Sequence, residues 1–315
     1  MYPMKLKAAF KDYLWGGTRL RTEYHMQSDL AKLAEAWVLS CHKDGPSVVE
    51  NGEYAGLTLE EAIEKMGREA LGAKGSQFAF FPILIKLIYA KDNLSIQVHP
   101  SDEYALQVEG EYGKTEMWYV VDCDPGSFLY YGFNREVTPD EFAARIADNT
   151  LLEVLNKVEV KKGDCFFIES GTIHAIGAGL LLAEIQQNSN TTYRVYDYGR
   201  VGADGKPRQL HVEKAKEVTQ LCPPKAAYGQ VQAVDGKARL ASCKYFTVDK
   251  LDVDGESCLA ADGESFLSLL CLEGDLTLEA AGQTLEMRPS DSFFLPAGMG
   301  EVRVKGKGTV IASRV

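Results

Sequence analysis

GDCFFIESGTIHAI, residues 163–176, and SDSFFLPAGMGEVR, residues 290–303, align without a gap. They share an Asp, a Phe-Phe pair, an aliphatic residue and a Gly. Each copy runs from a turn signal through an aromatic stretch to a second Gly, the pattern of a strand held between turns. One β unit met twice in a chain predicts two lobes of the same architecture. Between the copies, Cys222, Pro223, Pro224 and Lys225 read as a linker, so the expected division is residues 1–221 and 222–315. The position three after the Gly is His174 in the first copy and Glu301 in the second, which leaves only the first lobe with a histidine at the strand end.

The rest of the chain agrees with a mainly β fold. Short β-branched and aromatic runs, among them EMWYVVDC and SFLSLLCLEGDLTLEAAGQTLEM, recur between Gly and Asp turns. Helical spacing is confined to two places. TLEEAIEKMGREALG (58–72) opens with a T-x-x-E capping box, and TPDEFAARIADNTLLEVLNKVEV (138–160) has Pro at its first helical position and a break near Asp148 and Asn149. The second is a small helical insertion in the first lobe, near 138–157.

With 315 residues, 45% of them hydrophobic, the chain can build a large core. A formal charge of −11 argues against nucleic-acid binding and requires any anionic ligand to find a local basic pocket. The longest apolar stretch, residues 78–90, contains Pro82 and Lys86 and is too short to span a bilayer as a helix. The start of the chain lacks a secretory h-region, so the expectation is a soluble cytoplasmic protein without a membrane partner, monomer or homodimer. The seven cysteines are scattered and form no CxxC pair, which indicates neither a disulfide framework nor a thiolate zinc site.

In SIQVHPSDE (95–103), Ser95, Gln97 and His99 alternate with aliphatic residues and share one face of a strand that Pro100 ends. Alone this is an edge strand with a wetted face. Ligands at i and i+2 on one strand can also converge with groups from neighbouring strands on a divalent cation. Gln97-x-His99 followed by Glu116 and Gly126 resembles the first motif of the cupin barrels, with Gln in place of the usual first His; Gly163 through Gly171 to His174 resembles the second. The set Gln97, His99, Glu116 and His174 contains nitrogen and oxygen donors only, which suits zinc and also manganese, iron(II) or cobalt.

The resemblance narrows with YLWGGTRL (13–20), AEAWVLSCHKDGPSVV (34–49), FPILIKLIYAKDNLSIQVHPSDEYA (81–105), GKTEMWYV (113–120) and SGTIHAIGAGLLLAEIQQNSNTTYRVYDYGR (170–200). In this order they resemble the type I mannose-6-phosphate isomerases in their short bacterial form. That resemblance implies a zinc-dependent aldose-ketose isomerase that works through an enediol, with one Zn2+ per chain on Gln97, His99, Glu116 and His174. It implies catalytic roles for Arg194, Glu184 and Lys114, and substrate-phosphate contacts at Ser95, Arg200 and, more weakly, Lys86. Glu184 is the first choice of carbon base, on the expectation that a closed pocket raises its pKa; Lys114 is the alternative. Where many relatives carry Asp this chain has Asn190, so no acid or base is assigned there. A sugar-phosphate-binding cupin without catalysis and another metal-dependent cupin enzyme are the alternatives.

Overall fold

The computed structural model describes residues 1–202 and 205–315. The motif at 163–176 folds as its pattern requires. Asp164–Ile168 is a strand, Gly171 turns at φ +87°, and His174 opens the next strand, His174–Ile176. A side chain at Gly171 would meet Gln220 and the Val218 carbonyl at 2.9 Å as well as an unfavourable φ. The Gly171 N–H donates to the His99 carbonyl at 2.8 Å, which ties the two motif segments together.

Two antiparallel sheets face each other in the first lobe. One has seven strands, in the order Gly229–Gln230, Asp164–Ile168, Glu116–Cys123, Leu180–Gln187, Ile83–Ala90, Glu35–Leu39 and Ala9–Lys11. The other has five, in the order Tyr193–Tyr196, Ile96–Val98, His174–Ile176, Phe128–Phe133 and Leu155–Glu159. Trp118, Val120, Phe166 and Leu182 from the first sheet meet Leu129, Tyr131 and Ile176 from the second in the barrel interior. Each large apolar side chain buried there stabilises the fold by about 1.5–3 kcal/mol.

The outer faces are covered as well. Ile96, Val98, Phe133 and Val195 lie under Phe142 of helix Pro139–Ala147 and Ala215 of helix Val212–Val218. Because Ile96 and Val98 face these helices, Ser95, Gln97 and His99 face the barrel interior. On the opposite side, Ile83, Ile85, Leu87, Met117 and Ile185 share a core with Leu270, Leu272, Phe294 and Ile311 of the C-terminal lobe. A sheet buried on both faces explains the almost unbroken apolar runs ILIKLIYA and LLLAEIQQ. Each contains one charged residue, Lys86 or Glu184, which must find a partner inside.

In the C-terminal lobe, strands Thr247–Ala261, Leu267–Ala280 and Gly300–Arg314 wrap an apolar interior that includes Leu269, Leu278, Phe293, Val302 and Val310. Met4–Lys7 and Val48–Val49 join the same sheet from the start of the chain. Glu301, at the place His174 holds in the first copy, is exposed and pairs with Arg303 at 2.9 Å.

The helical expectations hold with shorter bounds. Leu59–Met66 is a helix whose capping box is complete: Glu61 N–H donates to Thr58 Oγ1 at 3.2 Å and Thr58 N–H to Glu61 Oε2 at 2.8 Å. Gly67, at φ +91°, ends it before residue 72. Thr58→Ala is expected to lower stability by about 1 kcal/mol; an unchanged urea midpoint would contradict this. Asn149, at φ +58°, breaks the second helical segment. Among the described residues no helix is long and apolar enough to cross a membrane.

Candidate active site

His99, Glu116 and His174 come from three strand segments and meet inside the first barrel, each at most 1% exposed. Their ligand atoms lie within 4.8 Å of one another. His174 Nε2 is 3.4 Å from Glu116 Oε1, and His99 Nε2 is 3.9 Å from Oε2. The backbone sets both rings. Nδ1 of His99 lies 2.9 Å from the Thr191 carbonyl and Nδ1 of His174 lies 2.9 Å from the Thr172 carbonyl. A carbonyl only accepts, so each Nδ1 carries the proton and each Nε2 turns a lone pair inward. Burial, with Lys114 and His174 nearby, pushes His99 well below the ordinary histidine value, and burial pushes His174 down to about 4. Both rings are neutral, as metal ligands must be.

This cluster fits a cation. Neither buried oxygen of Glu116 receives a hydrogen bond of acceptable geometry, although Lys114 Nζ pairs with Oε2 at 2.8 Å and stands 3.2 Å from His99 Nε2. Gln97 adjoins it, with its amide nitrogen 3.4 Å from His174 Nε2. A row of buried charges continues across the seven-stranded sheet. Lys114 is 3.6 Å from Glu184 Oε1, Lys86 is 3.0 Å from the same atom, and Lys86 is 3.7 Å from Glu35. Three carboxyl groups (Glu35, Glu116, Glu184) face two ammoniums (Lys86, Lys114) in a buried row, so with all three ionised the row carries one excess negative charge. Such an excess is relieved by a bound dication.

The expectation of a raised pKa at Glu184 is not met. Burial acts upward there, but Lys114 and Lys86, together with hydrogen bonds from Lys86 and Trp118 Nε1, outweigh it and hold the carboxyl below its usual range. It is Glu116 that burial and the Glu184 charge push upward, against Lys114. At Lys86 burial acts downward, yet Glu184 and Glu35 outweigh it and raise the pKa above the ordinary lysine value.

A cavity of about 250 Å³ opens beside the cluster. Gln97, Lys114, Glu184, Lys86, Ser95 and Arg194 line it, so six of the ten residues singled out in the sequence meet at one surface. His99, Glu116 and His174 lie one layer beneath. Arg194 Nε donates to Ser95 Oγ at 3.1 Å and Nη1 to the Gln209 carbonyl at 3.0 Å. Arg200 is not among the lining residues. Its guanidinium is taken up by Asp197 and by the Asn93 carbonyl.

Arg208 also lines the cavity, with no motif in the sequence to mark it. Glu35 lines it too, and its Oε2 accepts from Trp37 Nε1 at 2.7 Å. A lone Glu in the apolar strand AEAWV was the available signal, since a buried carboxylate needs partners. Trp15 and Tyr13 form an aromatic wall. His42, His211 and His25 stay outside: His42 packs edge-on against Trp37, and His211 Nδ1 accepts from the Arg194 N–H.

Two β barrels, the first enclosing a His-Glu-His centre beside a polar cavity, define a cupin-fold protein with a site suited to a metal. Residues 4–120 match the family model for the phosphomannose isomerase type I catalytic domain, and residues 234–315 match that for the mannose-6-phosphate isomerase cupin domain. The chain is 38% identical to mannose-6-phosphate isomerase ManA of Bacillus subtilis, covering 99% of each, and 36% identical to mannose-6-phosphate isomerase of Streptococcus mutans, covering 99% and 98%. It superposes on a crystal structure of the mannose 6-phosphate isomerase from Bacillus subtilis with a TM-score of 0.91 at 36% identity over the whole of both chains. The chain belongs to the type I phosphomannose isomerase family.

Proposed function

We propose that the chain interconverts mannose 6-phosphate and fructose 6-phosphate in this cavity, with one zinc ion held by Gln97, His99, Glu116 and His174. The observation that carries the reading is the joining of two unlike ends in one cavity. A buried, acceptor-rich cluster with excess negative charge lies at one end. At the other, Ser95 and Arg208, the latter one of two arginines on the carboxylate of Asp197, offer a phosphate the local positive charge that the chain's net charge of −11 denies it elsewhere. When bound, the zinc would supply a Lewis acid and template for the sugar oxygens O1 and O2.

The chain's own residues supply the rest. Isomerisation removes the proton from C2 of the open-chain aldose, moves that electron pair into a C1–C2 double bond as the C1 carbonyl pair goes to O1, returns a proton to C1 and shifts the O2 hydroxyl proton to O1 as the C2 carbonyl forms. Glu184 is assigned the carbon proton. Lys86 and Lys114 keep it ionised, as a base must be, and also weaken it, so Lys114, 3.6 Å away, is the alternative acid/base. Arg194, permanently charged and anchored at Ser95 and Gln209, is placed to stabilise the enediolate oxygen. Trp15, Tyr13, Leu94 and Ile176 exclude water from the reacting carbons.

Mannose 6-phosphate incubated with the metal-loaded enzyme in D2O is expected to give fructose 6-phosphate carrying solvent deuterium at C1, read by NMR. Binding without conversion would make the chain a sugar-phosphate sensor. Conversion without deuterium would mean that the same hydrogen passes from C2 to C1, by a base shielded from solvent or by hydride shift, and oxygen consumption in place of isomerisation would point to another metal-dependent cupin activity.

A further inference from the structure

Asp197 is 6% exposed and holds two arginines that the sequence places eleven residues or fewer away. To Arg208 it is bidentate: Nε donates to Oδ2 at 2.7 Å and Nη2 to Oδ1 at 2.5 Å. Arg200 reaches Oδ1 with Nη2 and uses Nη1 on the Asn93 carbonyl, and its guanidinium lies 5.3 Å from the Tyr198 ring. Of the two, only Arg208 lines the cavity, beside Ser95 and Arg194. A guanidinium is a planar fork with two long edges. The Nε/Nη2 edge of Arg208 is filled by the carboxylate, so the Nη1/Nη2 edge faces away from Asp197 and keeps the geometry that grips a phosphate with two parallel N–H···O bonds.

We propose that Asp197 is a positioning residue for the phosphate end of the cavity. It fixes Arg208 by one edge so that the other edge takes the substrate's phosphate, while Arg200 tethers the carboxylate to Asn93. This rests on the sugar-phosphate reading above and assigns the work within it. Arg200 and Arg208 against the one carboxylate of Asp197 leave a net positive charge at this end of the cavity.

The test uses the metal-loaded full chain, with KM and kcat for mannose 6-phosphate and, separately, the affinity for inorganic phosphate by calorimetry. Arg208→Gln is expected to raise KM and weaken phosphate binding about tenfold to a hundredfold, with kcat changed no more than about twofold. Asp197→Asn should reproduce about a tenfold loss on both readouts. Because Asp197 acts through Arg208, the double variant should be no worse than Arg208→Gln alone. Arg200→Gln should fall well short of either.

Arg208→Lys keeps the charge but cannot face a carboxylate and a phosphate on two edges, so it should also raise KM; it stands in if Asp197→Asn fails to fold. Additive losses in the double variant, an Arg200→Gln effect as large as that of Arg208→Gln, or no phosphate binding by the unaltered protein would overturn the proposal. If the unaltered chain binds phosphate through Arg208 and Asp197 but does not isomerise the sugar, this assignment stands and the functional reading falls.

Discussion

Replacing His99 by Ala is expected to empty the metal site and to lower kcat/KM by about 10³-fold or more. The ring is 1% exposed, and its Nδ1 proton is committed to the Thr191 carbonyl, so Nε2 is the atom it offers to the cluster. Removing it leaves Gln97, Glu116 and His174, with one imidazole and one carboxylate among the strong donors of the described cluster, which weakens its hold on a dication against water and free chelators. Metal content measured after gel filtration should fall to background while the circular dichroism spectrum keeps its β signature. Retention of one metal per chain at full activity would remove His99 from the centre. The matching change in the second lobe, Glu301→Ala, should leave metal content untouched, because Glu301 is exposed and paired only with Arg303.

Arg194→Lys is expected to keep the metal and lose turnover, with kcat down by about 10²-fold. Two anchors aim the native guanidinium, Nε on Ser95 Oγ at 3.1 Å and Nη1 on the Gln209 carbonyl at 3.0 Å. A lysine keeps one positive charge but has neither the fork nor both anchors, so the charge no longer sits where negative charge develops on the enediolate. The effect should fall on kcat more than on KM, the signature of an interaction made chiefly in the transition state. The pair of variants then separates two failures: His99→Ala without metal, Arg194→Lys with metal and without turnover. Equal metal loss in both would show that Arg194 supports the fold of the site and not the reaction.

Much of this could be read from the chain because strand periodicity carries it. Ser95, Gln97 and His99 had to share a face, and the repeat at 163–176 placed His174 at a strand start; in the structure the three residues of that face turn into the barrel toward Glu116 and His174. What stayed hidden depends on contacts across strands or through irregular loops. Arg208 belongs to no motif that would mark it, whereas the resemblance pointed to Arg200, whose guanidinium meets Asp197 and the Asn93 carbonyl. The depressed pKa of Glu184 depends on Lys86, its register partner on the neighbouring strand, and on Lys114 in the segment before Glu116–Cys123, a pairing that sequence does not reveal.

The back-to-back packing of the two lobes was likewise beyond reach. The repeat shows that two barrels exist but not which faces meet, and the shared core of Ile83, Ile85 and Leu87 with Leu270 and Phe294 is a matter of tertiary fit. Glu35, Lys86 and Glu184 each stand alone in an apolar run, and in a sheet buried on both faces lone charges of alternating sign must pair into a row.

The most direct test of a metal-centred isomerase is a single assay on one preparation: conversion of mannose 6-phosphate to fructose 6-phosphate before chelation, after it, and after zinc is restored. Activity should vanish on chelation and return with about one zinc per chain. Undiminished conversion by protein shown to be metal-free would contradict the account.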